Sequence, residues 1–111
     1  MRKHEPIRLI AVGDICPGDF VCPGFGTGTL MRSRGPHFAL ERVRTLLREG
    51  DIVVGNLEGV LSNHGADPDS IDSMEFRGMP EFGQSLREAG FTVMTVANNH
   101  VGDYGPAVPP P

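Results

Sequence analysis

Apolar residues fall along the chain in three short continuous runs and two spaced stripes. The first run, Arg8–Val12, is Arg-Leu-Ile-Ala-Val and ends at Gly13-Asp14. The second, Asp51–Val54, is followed by Gly55-Asn56-Leu57-Glu58-Gly59. The third, Phe91–Ala97, is followed by Asn98-Asn99-His100. Runs this short, rich in Val and Ile and without alternation, read as strands of a buried parallel sheet. Between them the period changes. Ala39, Val43, Leu46 and Leu47 stand at i, i+4, i+7 and i+8, behind Pro36 and ahead of Gly50. Proline suits the first helical position and glycine the stop, so a helix is predicted over 36–49. Phe82, Leu86 and Ala89 form a second stripe, opened by Pro80 and closed by Gly90. The segments Ile15–Gly35 and Ser62–Ser73, dense in glycine, proline and polar residues, read as loops. A structureless stretch of ~20 residues is unusual in a compact domain and is often functional.

Strand, helix, strand, helix, strand is the βαβαβ order of an α/β fold, with right-handed crossovers and a mostly parallel sheet. Residues 1–105 read as one partial α/β domain. The tail, 106–111, is too rich in proline for helix or central strand and begins where the pattern calls for another helix. It reads as a truncation, which leaves an open sheet for a C-terminal half or a homo-oligomeric partner to cover.

Composition narrows the function classes. With Lys+Arg 10 against Asp+Glu 14 the net charge is −4, which argues against a non-specific nucleic-acid binder. No apolar run approaches the ~20 residues of a membrane span, and no signal-peptide core is present. A cytoplasmic location is the default expectation, with envelope association as the alternative. Two cysteines, Cys16 and Cys22, are too few for a disulfide framework and read as free thiols. Gly24-Phe-Gly-Thr-Gly28 lacks both the preceding strand and the third glycine of a dinucleotide-binding turn.

In a parallel sheet the C-terminal strand ends share one edge, where α/β folds place ligands. Asp14, Asn56, Glu58, Asn98, Asn99 and His100 could therefore converge from distant parts of the chain. Carboxylate, carboxamide and imidazole together suit a divalent metal such as Mn, Fe or Zn. Each signal has an ordinary reading: a Gly-Asp after a strand is usually a turn, and a Glu in that place is usually solvated. Asn-Asn-His directly after an apolar strand is harder to dismiss, because its desolvation needs a partner. His4, His37 and His64 read as surface residues.

Three segments, Val12–Ile15, Asp51–Gly59 and Ala89–His100 followed by Asp103-Tyr-Gly105, resemble the poly-gamma-glutamate capsule-synthesis (CapA-type) proteins of the calcineurin-like metallophosphoesterase superfamily. The resemblance covers roughly Ile7 to Gly105. It implies the N-terminal part of a four-layer αββα sandwich with two divalent metal ions. On that pattern Asp14 is the first metal ligand, Glu58 with Asn56 beside it stands where related enzymes bridge two metals, and Asn99 binds the second. His100 sits beside the phosphate as general acid or electrostatic clamp, with Asp103 orienting it. The implied activity is a metal-dependent phosphoesterase or hydrolase acting on a phosphate-containing or polymer-related small substrate in capsule biosynthesis. Two departures stand out: Cys16 occupies the place of the His in Asp-x-His, and the later His ligands of the superfamily are not in this chain. The alternatives are a non-catalytic truncated fragment and a small α/β domain that binds a phosphorylated ligand without metal.

Overall fold

The structure, a computed structural model, describes residues 4–19, 25–63 and 76–103. Expectations placed on Cys22, His64, Tyr104 and the tail lie outside the described residues. In chain order the elements are β1 (Leu9–Ile15), α1 (Thr27–Arg34), a 3-10 turn (Phe38–Leu40), α2 (Arg44–Leu47), β2 (Ile52–Leu57), β3 (Val60–Leu61), β4 (Arg77–Gly78), α3 (Glu81–Ala89) and β5 (Val93–Thr95). The main sheet has the order β1-β2-β5 and is parallel throughout; β3 and β4 form a parallel pair of their own. The expected mixed α/β fold with a parallel sheet is what the chain adopts.

The sheet is covered on one face. Val53, Gly55 and Leu57, alternate residues of β2, are buried. Val53 and Leu57 join Met31 of α1, Leu47 of α2, Phe82, Leu86 and Ala89 of α3, and Phe91 in a single core. Gly55 leaves its place to Ile15, Val12 and Phe91, whose side-chain atoms would lie 2.9, 3.0 and 3.1 Å from a Cβ there. The topology explains the asymmetry. Strands are added in one direction, β1 to β2 to β5, and right-handed crossovers in one direction put every helix on the same side. The other face stays bare. Leu9 pairs with Ile52, and Val54 with Val93; Leu9, Ile52 and Val93 are 62%, 38% and 48% exposed. Strands buried on both faces, as the apolar runs implied, are therefore not what this chain forms.

The stripe Phe82, Leu86 and Ala89 lies where its period places it, buried along α3. Glu81 in the first turn suits the helix dipole. Gly90 ends the helix at φ +119°, and the Arg48 guanidinium donates to the Glu88 carbonyl from Nε at 3.2 Å and Nη2 at 2.8 Å, satisfying a last-turn acceptor.

Three other expectations are corrected. The 36–49 helix is broken into the 3-10 turn and the four-residue α2. Ala39, Val43 and Leu46 of its stripe are exposed; Leu47 is buried and Leu40 packs at the core's edge. A helix of one turn cannot present a continuous stripe, so only those two leucines reach the core. The Ile15–Gly35 loop contains α1, a helix whose one buried large apolar residue is Met31. What holds its start is Asp19: Oδ1 accepts the Thr29 N–H at 2.7 Å, and Oδ2 accepts the Thr29 hydroxyl at 2.6 Å and Arg32 Nη2 at 2.8 Å. Lastly, β1 and β2 each run further than their apolar runs, so Asp14 and Asn56 lie inside strands instead of after them. No helix among the described residues is long and apolar enough to cross a membrane.

The two faces of the sheet should respond differently to truncation. Phe82→Ala, which opens a cavity in the core, is expected to cost about 3–5 kcal/mol in a urea titration. Leu9→Ala on the bare face should change stability by roughly 0.5 kcal/mol or less. A Leu9→Ala cost equal to that of Phe82→Ala would show the bare face to be covered.

Candidate metal centre at the strand ends

An irregularity in β1 aims the first acid. Ala11 pairs with Val54, but Asp14, three residues on, pairs with Asn56, two residues on. The extra residue brings Asp14 onto the face that Ala11 occupies, where simple alternation would turn it away. Thr95 of β5 pairs with Asn56 from the other side. The sheet register thus aligns Asp14, Asn56 and Thr95 in one row across the three strands.

Asn56 is the hub of this row. Its Nδ2 donates to Asp14 Oδ1 at 2.8 Å and to Glu58 Oε2 at 2.7 Å. Its Oδ1 accepts from the Thr95 hydroxyl at 2.9 Å and from Asn98 Nδ2 at 3.3 Å. These partners fix which way the amide points: the carbonyl oxygen faces two donors and the NH₂ faces two carboxylates. Asn56 therefore presents N–H groups to the acids and acts as their strut. The ligand role that the resemblance implied for Asn56 is not the one its orientation favours.

The Asn98–Asp103 turn carries the imidazole. Asn98 Oδ1 accepts the His100 N–H at 3.1 Å, and Asn98 Nδ2 donates to the Leu57 carbonyl at 2.7 Å, which ties this turn to the end of β2. His100 Nδ1 lies 2.7 Å from Asp103 Oδ2. An ionised carboxylate only accepts, so Nδ1 carries the proton and Nε2 keeps its lone pair. Asn99 Nδ2 approaches Nε2 at 3.1 Å, and Glu58 Oε1 lies 3.5 Å from it. The His100 and Glu58 side chains are each 17% exposed. A carboxylate oxygen and an imidazole lone pair thus face each other with no proton between them.

One ring pins the other. Phe76 stacks on His100 with centroids 3.6 Å apart and planes 14° from parallel. Gly59 permits this. It sits at φ +126°, and a Cβ there would lie 1.9 Å from the Phe76 carbonyl oxygen. Without a side chain at 59, the Val60 N–H reaches that carbonyl at 3.0 Å and β4 closes against β3. Beside the cluster, burial pushes the Cys16 thiol up from its ordinary pKa; Glu58 and Asp19 add to this, and a backbone hydrogen bond with Gly18 opposes it.

All six residues named from sequence, Asp14, Asn56, Glu58, Asn99, His100 and Asp103, belong to one network. Thr95 and Phe76 are additions that carried no motif; Asn98 was named and now has a structural task. His37 is exposed and 3.6 Å from Glu88, and His4 is exposed, as expected of surface histidines.

Among the described residues no group of three His, Cys, Asp or Glu side chains is gathered tightly enough to hold a metal ion. A narrower pair does fit one. Glu58 Oε1 and His100 Nε2 are 3.5 Å apart, and two ligands sharing one metal at about 2.1 Å each, near the tetrahedral angle, stand about 3.4 Å apart. The Nδ1–H to carboxylate bond behind His100 is the usual support of a metal-ligating histidine. Asp14 would contribute on turning away from Asn56.

Similar proteins point in one direction. A family model described as "Bacterial capsule synthesis protein PGA_cap" matches residues 8–107. Capsule biosynthesis protein CapA of Bacillus anthracis is 31% identical over 106 residues, which are 94% of this chain and 24% of that protein. The uncharacterized proteins y4sH and y4uA of Sinorhizobium fredii are 30% and 31% identical over 105 residues each, covering 91% of this chain and 20% of theirs. The chain spans about a quarter to a fifth of the length of these relatives.

Gly59→Ala tests the Phe76 clamp. It should cost roughly 3 kcal/mol, from a non-glycine residue at positive φ and the overlap with the Phe76 carbonyl. Gly102→Ala, which meets nothing within 4 Å, should stay within ~0.5 kcal/mol. The His100 ring-proton resonances should also lose the ring-current shift of Phe76 in Gly59→Ala. Unchanged resonances would show that the stack does not depend on this glycine.

Proposed function

Because the chain belongs to the bacterial capsule synthesis protein family, we propose that it forms the metal-holding N-terminal part of a phosphoesterase-type protein that serves the making of a capsule polymer. The observation that carries this reading is the pair of Glu58 Oε1 and His100 Nε2, two lone-pair-bearing atoms 3.5 Å apart, with Asp103 behind the imidazole. A divalent cation such as Mn, Fe or Zn relieves that opposition. Glu58 and His100 would hold it, with Asp14 the third donor. When bound, such an ion supplies Lewis-acid stabilisation to a phosphoryl oxygen. The remaining ligands, and a second ion, would come from the longer protein that the relatives' length implies.

The chain's own residues have definable tasks in this reading. Asn56 holds the two acids side by side and keeps Asp14 from swinging freely. Asp103 fixes the imidazole tautomer, and Phe76 fixes the ring plane. Asn99 directs an N–H toward the same point and can donate to a substrate oxygen. The substrate is then a phosphate ester or a small precursor of the polymer. The bare sheet face supports the same reading: Leu9, Ile52 and Val93 expose an apolar strip that a second sheet, from the rest of the protein, would cover to complete a sandwich.

A second reading has an observation of its own. Asn56 satisfies both acids without any metal, as it would in a purely structural strut of a non-catalytic domain. Manganese separates the two. In the first reading Mn²⁺ at a hundredfold excess over its Kd stabilises the chain by about 2.7 kcal/mol, seen as a higher melting temperature. Glu58→Gln and Asp14→Ala should each abolish the rise. A rise of equal size in Glu58→Gln, or none in the parent chain, would overturn the metal-holding reading and favour the strut.

A further inference from the structure

We propose that the cleft between α1 and the β3/β4 pair binds an oxyanion, a phosphate or carboxylate group. The cleft has a volume of about 260 Å³, and its walls include Gly28, Arg32, Ser62, Asn63, Arg77 and Gly78. None of these belongs to the Asp14–His100 network, so the inference stands whether or not that network holds a metal. The volume is far above the ~10–15 Å³ that a single water requires. It suits an oxyanion carried on a larger molecule.

The chemistry of the walls sets the ligand class. Two guanidiniums, a hydroxyl and a carboxamide line the cleft, and no carboxylate does. Guanidinium forks match the oxygens of phosphate and carboxylate, and a fork that already holds one acid still has further N–H donors to offer. Arg32 is set in place from behind. Its Nη2 donates to Asp19 Oδ2 at 2.8 Å and to Thr29 Oγ1 at 3.1 Å, and the Asp19 side chain is 0% exposed. Asp19 therefore orients the guanidinium and is itself screened from any ligand. Arg77 comes from the opposite wall on β4, whose position is fixed by the Ser62 N–H donating to the Gly78 carbonyl at 3.1 Å. The two arginines belong to elements held by separate hydrogen-bond sets, so the cleft is built before a ligand arrives. After Asp19 is counted against Arg32, the wall keeps a net positive charge in a chain whose overall charge is −4. A cation or a neutral sugar has no matching partner there.

The test uses the ¹⁵N-labelled 111-residue chain, titrated at constant ionic strength with inorganic phosphate and, in a second arm, with tetraglutamate. Saturable shifts centred on the amides of Gly28, Ser62, Arg77 and Gly78 are expected with at least one probe. The tighter probe identifies the source of the oxyanion. Arg77→Gln should weaken binding about tenfold or more, as loss of a charged hydrogen bond does. Arg77→Lys, which keeps the charge and loses the fork, should fall between. Arg32 is left intact because its removal would strand the buried Asp19 charge. Shifts that fail to saturate, shifts centred on Asn98–His100 instead, or Arg77→Gln and Arg77→Lys both binding as tightly as the parent would overturn the proposal.

Discussion

The Asn56 amide, wedged between Asp14 and Glu58 on one side and Thr95 and Asn98 on the other, is the contact on which the site depends. It draws on all three strands and on the turn that carries His100. Its geometry is a consequence of sheet register: Asp14 and Thr95 flank Asn56 because β1 and β5 both run parallel to β2. Each of its four hydrogen bonds is modest, about 1 kcal/mol net, but a partner left unpaired in a half-buried place costs about 1–3 kcal/mol. The arrangement is consequently harder to lose one bond at a time than its individual bonds imply.

The same strand order explains the bareness of one sheet face. Adding strands in a single direction with right-handed crossovers sends α1, α2 and α3 to one side. The core therefore fills on that side, around Val53 and Leu57, and the strip from Leu9 through Ile52 to Val93 is left to solvent. The polar row of the candidate centre ends this apolar strip. A second layer laid on the strip would shield the row from water and strengthen every electrostatic contact in it.

Much of this was legible in the residues. The three apolar runs gave the parallel sheet, and Phe82, Leu86 and Ala89 gave α3, because in both cases burial follows the backbone period. The site residues could be named because polar groups directly after apolar runs must gather at one sheet edge. What escaped was structure held by side chains far away in sequence. α1 has almost no apolar stripe and starts where Asp19 accepts from Thr29 and Arg32, a contact no periodicity encodes. β3 and β4 are two residues each and exist because Gly59 lets the Phe76 carbonyl approach. The role of Asn56 was misread for a similar reason: spacing places a side chain, but the direction of its amide is decided by Thr95 and Asn98.

The central claim is that strand register assembles a cation-binding point from Glu58, His100 and Asp14. Paramagnetic broadening tests it most directly. Substoichiometric Mn²⁺ added to the ¹⁵N-labelled chain should broaden the amides of Asp14, Leu57, Glu58 and Asn98–His100 before any others. Broadening spread evenly over the acidic surface, or centred on Asp51, Glu49 or Glu88, would contradict the claim.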